Sequence, residues 1–177
     1  MPGVPVLSKT RGVVQFDTQG LTTKNLKARV FGGDAQIDGN LLFDPNKTDA
    51  SDQLRIKGVV TAEGLRQASE LGVFSQLALR ANGSTSYNAS VGLRKGQPEI
   101  LVQSDLKGMA LTFPAPMNKP AAATWPLRLE TQLTNESLAP KSKLMQDQIK
   151  LSVARVLSLN FVRDVSATQT RVLRGAI

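Results

Sequence analysis

The 177 residues of this chain include no histidine and no cysteine. Without histidine there is no common general base, no usual partner for a nucleophilic serine and no imidazole ligand for zinc. Without cysteine there is no thiolate nucleophile, disulfide framework or sulfur-based metal site. The chemistry left open is a serine–lysine pair, a pair of carboxylates, or a metal held by oxygen ligands. Ser8-Lys9 and Ser142-Lys143 are sequence neighbours, but neither sits in a nucleophile elbow or an SxxK spacing. Asp34, Asp38 and Asp44 are spread over a strand pair, and their spacing is not that of a calcium-binding loop. They read as turn formers and solvated strand positions. No glycine-rich phosphate-binding motif occurs. A non-enzyme is expected, with no catalytic residue, no metal site and no cofactor.

The charge balance is basic: 22 Lys and Arg against 14 Asp and Glu, a net +8. Such a balance suits an anionic surface (nucleic acid, anionic lipid or acidic protein), or simply a solvated exterior. The basic residues are scattered, which favours the solvated exterior. Single-stranded nucleic acid would need aromatic residues interleaved with basic ones on an open strand face. Phe16, Phe31, Phe43, Phe113 and Phe161 instead sit among aliphatics and read as core. Tyr87 and Trp125 are too few for a stacking platform, so no nucleic-acid partner is expected.

The elements that would position any site are strands. Val14 and Phe16 alternate with polar neighbours, as do Leu26, Ala28 and Val30, and then Ala35, Ile37, Gly39 and Leu41. Gly32-Gly33-Asp34 supplies the turn between the last two runs. Leu54 and Ile56 continue the pattern. Tyr87, Ala89, Val91 and Leu93 form another run, closed by Lys95-Gly96-Gln97-Pro98, and Ile100, Val102 and Ser104 follow. Leu127, Leu129, Thr131 and Leu133 alternate cleanly. The segment from Ile149 to Phe161 fits a strand or a helix face and is assigned as strand. One helix is expected, capped by Thr61, with Ala62, Leu65, Ala68 and Leu71 on one stripe and Gly72 past its end. Loops are expected at Asp44–Asp52, Asn82–Ser84 and Asn118–Thr124. The fold class is therefore mainly β with one short helix, as a curved antiparallel sheet with an apolar groove or, alternatively, a closed β-sandwich. A chain of this size suits one β-rich segment over residues 1–177. With no signal peptide at Met1–Pro5, no membrane-spanning run and a strand-like end at Arg174–Ile177, both ends look cut from a longer protein.

The stretch from Ser104 to Pro120 reads as strand, glycine break, strand, and a stop at two spaced prolines: Ser104-Asp105-Leu106-Lys107-Gly108, then Met109 to Phe113, then Pro114-Ala115-Pro116 and Lys119-Pro120. It resembles the SDL-x-G…PAP-x-x-K segment of the AsmA-like proteins of Gram-negative bacteria, in the YhdP branch. Phe113 stands where leucine is expected. Trp125-Pro126-Leu127, Phe31-Gly32-Gly33 and Arg174-Gly175-Ala176 are also similar to this family. The signature residues (Ser104, Asp105, Leu106, Gly108, Pro114, Pro116 and Lys119) are structural and imply no catalysis. The prolines end strand pairing, and Asp105 and Lys107, on one side of a strand, pair in solvent for under about 1 kcal/mol.

The resemblance implies a segment of an inner-membrane-anchored periplasmic protein that moves phospholipid toward the outer membrane and supports its barrier. It also implies a long twisted sheet with an apolar groove. The groove would then be lined by Val14, Phe16, Val30, Ile37, Leu41, Leu54, Ile56, Val91, Leu93, Ile100, Val102, Leu127 and Leu129. The expected partners are phospholipid acyl chains and, through other parts of the protein, the inner membrane. The same residues would equally pack a closed core with no ligand.

Overall fold

Side chains alternating with period two present one apolar face only when the backbone is extended, and this chain is extended over most of its length. The computed structural model describes residues 6–43, 52–166 and 170–176. Ten strands lie side by side, antiparallel, in one sheet: β1 (Ser8–Phe16), β2 (Gly20–Val30), β3 (Gly33–Leu42), β4 (Gln53–Thr61), β5 (Ala81–Arg94), β6 (Gln97–Ser104), β9 (Leu127–Leu133), β10 (Gln146–Val153), β11 (Leu157–Asp164) and β12 (Arg171–Ala176). Two short strands leave this path between β6 and β9. β7 (Met109–Thr112) pairs with the start of β5, and β8 (Asn118–Lys119) pairs with β7. The sheet is open, with β1 and β12 as its edges. The fold is therefore mainly β as an open antiparallel sheet, and the closed sandwich is not formed.

Local geometry corrects several expectations. The β2–β3 turn is Phe31-Gly32, with φ of +49° and +79°, and Gly33 already pairs with Val30 in the ladder. A Cβ at Gly33 would lie 1.9 Å from the Val59 carbonyl oxygen, so the position excludes any side chain. In β2 a bulge at Asn25 (φ +53°) shifts the register between Thr23 and Leu26. That one extra residue returns Leu21 and Thr23 to the face that carries Leu26, Ala28 and Val30.

The helix starts as expected, with Thr61 Oγ1 accepting from Gly64 N at 2.9 Å. It ends early, however. α1 spans Ala62–Gln67, a 3-10 turn covers Ser69–Leu71, Gly72 takes φ +56°, and α2 (Val73–Leu77) and a second 3-10 turn (Ala78–Arg80) follow. The single expected helix is thus broken at Ala68, whose ψ of 77° is non-helical. A further short helix, α3 (Asn135–Leu138), is capped by Thr134. No helix among the described residues is long and apolar enough to cross a membrane.

Asn82–Ser84 is not a loop but part of β5, where Gly83 lets the Gly108 carbonyl oxygen approach to within 2.3 Å of a would-be Cβ. Asn118 and Lys119 are likewise strand, whereas 120–124 is irregular. The loop expected at Asp44–Asp52 falls on 44–51, outside the described residues. Ile149 to Phe161 is two strands, β10 and β11, joined by a turn at 154–156.

None of the phenylalanines read as core is fully buried, although Phe31 packs against two buried clusters. Phe16 is 79% exposed, Phe43 is exposed, and Phe31, Phe113 and Phe161 are half-buried. The reason is architectural: one open sheet has no second layer to lay across its apolar face. Asp105 and Lys107 do not form a strand pair either. β6 ends at Ser104, Leu106 takes φ +52°, and the Asp105 carboxylate accepts from the Lys107 backbone N–H at 3.0 Å.

Candidate functional site

Directly opposed residues of antiparallel strands share a sheet face, so the pairing registers tell which side chains lie together. One row runs Leu26, Ile37, Ile56, Ala89, Val102, Leu129, Leu151 and Leu159, from β2 to β11. It crosses eight strands without a polar side chain. Seven inter-strand steps of about 4.8 Å make this track about 34 Å long. On one side runs Val14, Thr23, Gly39, Leu54, Val91, Ile100, Thr131, Ile149 and Phe161. On the other run Ala28, Ala35, Gly58, Tyr87, Ser104, Leu127, Val153 and Leu157.

All thirteen residues expected to line an apolar groove fall on this face. Their exposure differs by region. Val30, Ile37 and Leu41 are buried. Leu54, Ile56, Val91, Leu93, Ile100, Val102, Leu127 and Leu129 are half-buried. Val14 and Phe16, on the edge strand, are exposed. Alternation reaches further than that set. Leu26, Ala89, Leu151 and Leu159 complete the central row, and their strand patterns already carried the signal that the registers resolve. The opposite face is polar, with Lys27, Gln36, Lys57, Asn88, Gln103 and Arg128 forming one of its rows.

Walls rise where β4, β6 and β10 end. Val60, Ala62, Ala81 and Met109 form a buried cluster against which Phe31, Leu65, Tyr87 and Leu111 pack. Leu106, Leu151 and Val153 form a second, with Trp125, Leu127, Leu129 and Leu159 against it. The helical segment and the β7–β8 excursion therefore cover one margin of the apolar face and leave its middle open. At the opposite strand ends the face turns polar. Arg163 forks onto buried Asp147, with Nε donating to Oδ1 at 2.9 Å, and Lys95 Nζ donates to the Ser137 carbonyl oxygen at 2.7 Å.

The segment from Ser104 to Lys119 builds the covered wall. The Ser104 hydroxyl donates to Ser86 O at 2.8 Å and accepts from Leu106 N at 3.0 Å, which ends β6 and turns the chain. Leu106 is then buried, and Gly108 takes φ +93°. Pro114 and Pro116 are exposed in the β7–β8 turn, closed by Met117 N donating to Pro114 O at 2.9 Å. Lys119 is the least expected member. It is 1% exposed, and its ammonium donates to the carbonyl oxygens of Leu106, Met109 and Pro120 at 2.7, 2.8 and 3.1 Å. All three donors are used. Burial pushes its pKa down, and the nearby Asp105 carboxylate partly counters this. Composition places lysine at the surface, and nothing short of the folded turn around it signals otherwise.

The arrangement offers a long aliphatic strip, partly wetted, with a polar reverse side. A family model described as YhdP protein matches residues 2–177. No curated protein and no solved structure gives a match.

Proposed function

Because the chain belongs to the YhdP family, whose membership suggests a role related to lipid transport, we propose that it is a segment of a periplasmic lipid conduit. In this reading the aliphatic row from Leu26 to Leu159 takes up the acyl chains of phospholipid. The lipid passes between the inner and outer membranes and sustains the outer-membrane barrier. The segment is part of a longer protein anchored in the inner membrane. The family is not known as an enzymatic one, and a conduit needs no catalytic residue.

The observation that carries the reading is the uninterrupted row on an open face. Each exposed CH₂ costs roughly 0.8 kcal/mol in water, and an aliphatic strip removes much of that cost. The row, at about 34 Å, is longer than one leaflet of a bilayer, about 15 Å, so a chain lying on it has room to slide. Aliphatic side chains suit sliding because they offer no directional contact to break. The polar reverse face keeps the sheet wetted on its other side.

Native mass spectrometry with lipid extraction, on the purified chain after incubation with phospholipid vesicles, tests this. Bound phospholipid is expected. Its loss in Ile56→Asp, with unchanged strand circular dichroism, would tie it to the row. A folded, lipid-free wild-type chain would overturn the conduit and leave a β-rich structural module.

A further inference from the structure

Tyr87 is the chain's one tyrosine. The register places it on the apolar face, between Gly58 on β4 and Ser104 on β6. Gly58 has no side chain, and a Cβ there would already press on Ala35 Cβ and Asp34 O at 2.9 Å. The tyrosine ring packs against the cluster of Val60, Ala62, Ala81 and Met109. The neighbouring Ser104 hydroxyl is spent on Ser86 O and Leu106 N. The Tyr87 hydroxyl has no hydrogen-bond partner among the described residues. Among the described residues no buried side-chain oxygen or nitrogen is left unpaired, and Tyr87 as a residue is half-buried. Its hydroxyl therefore touches solvent, and its residue lies on the apolar face beside the aliphatic track.

A phenol in such a place is a rigid apolar ring with one polar tip, a shape suited to the level where hydrocarbon meets polar linkage. Building on the conduit reading, we propose that Tyr87 is a subsite for the ester linkage of a diacyl lipid: its hydroxyl donates to an ester carbonyl while the acyl chain lies along the adjacent row of Ile56, Ala89 and Val102. A neutral acceptor fits the surroundings. The ring's cluster contacts are aliphatic, and an anionic phosphate brought there would lose hydration without gaining a cation. Burial also raises the phenol's pKa above its ordinary 10.0, which keeps it a donor at neutral pH.

Tyr87→Phe removes the hydroxyl and keeps the ring in its packing. The probes are vesicles of a diacyl phosphatidylcholine and of its diether analogue, which has no ester carbonyl. The expected result is a loss of about 3- to 10-fold in affinity for the diacyl lipid, the size of one net hydrogen bond, and no change for the diether lipid. An equal loss on both lipids would overturn the ester assignment in favour of the phosphate or of packing. Unchanged binding of both would overturn the subsite while leaving the conduit intact. No binding of either lipid by the wild-type chain would overturn both. The tyrosine's Cζ carbon, a single NMR resonance because the chain has one tyrosine, gives an independent readout in the wild-type protein. It is expected to shift on loading with diacyl lipid and stay still with the diether lipid, and the absence of that difference would sink the proposal even if Tyr87→Phe failed to fold.

Discussion

Around Lys119 a charged side chain is 1% exposed, with every ammonium hydrogen donated to a carbonyl oxygen. Around Ile56 and Val102, on the same side of the molecule, aliphatic side chains stay half-exposed. The wall satisfies its polar groups internally and needs nothing from outside. The floor buries too little of itself, because one open sheet has no facing layer. On the floor, apolar matter from outside can still add stability. The same division appears within a single row. Ile37 and Ile56 are cross-strand partners, yet Ile37 is 5% exposed and Ile56 is half-buried.

That last pair gives the strongest way to break the comparison. Ile37→Asp is expected to cost about 4 kcal/mol, because an unpaired carboxylate enters a buried site. Ile56→Asp, which can turn its carboxylate to water, is expected to cost about 1 kcal/mol. Urea midpoints at constant m-value measure both. Equal costs would mean that the floor is as closed as the β2–β3 region.

The wall is tested next. Lys119→Met keeps the aliphatic stem and removes the ammonium, leaving the carbonyls of Leu106, Met109 and Pro120 without that donor. A loss of about 3 kcal/mol is expected. A neutral result would show that water replaces the ammonium, and that the wall is no drier than the floor.

The smallest effect concerns the bulge that keeps β2 in phase. Asp38 accepts from Asn25 N at 2.6 Å and from Gln36 Nε2 at 2.8 Å. The Asn25 bond, then the Gln36 bond, hold its pKa below the ordinary 3.8. A carboxyl whose folded pKa lies below its unfolded one stabilises above the unfolded value and loses that effect as pH falls through the folded one. Stability should therefore decline on acidification from about pH 4. Asp38→Asn should flatten that decline slightly, as read by thermal midpoints between neutral and strongly acidic pH. An unchanged slope would remove Asp38 from the account of the bulge.

Much of this was legible from residue types. The alternation of Leu26, Ala28 and Val30, or of Leu127, Leu129 and Leu133, is set by a backbone that points successive side chains to opposite faces, and those strands form as expected. The shared face of the thirteen residues from Val14 to Leu129 was legible for the same reason, and the registers place every one of them on it. The helix start at Thr61 was legible because its cap is local. Its early end was not, since the break at Ala68 and Gly72 involves a chain path that the 3-spaced apolar stripe does not encode. Asn82–Ser84 looks like a turn by composition, yet it is strand because β7 pairs with it, and Gly83 serves that approach rather than a bend.

The residues by themselves determined that the chain makes strands with one apolar face and that it has no thiol or imidazole chemistry. These follow from side-chain chemistry and from short-range backbone geometry. Only the tertiary structure decided which strands are neighbours, and hence that eight of them align one aliphatic side chain each into a single row. It also decided that Lys119 is buried while Phe16 is exposed. Burial depends on what lies across from a residue, and that is settled by parts of the chain far away in sequence.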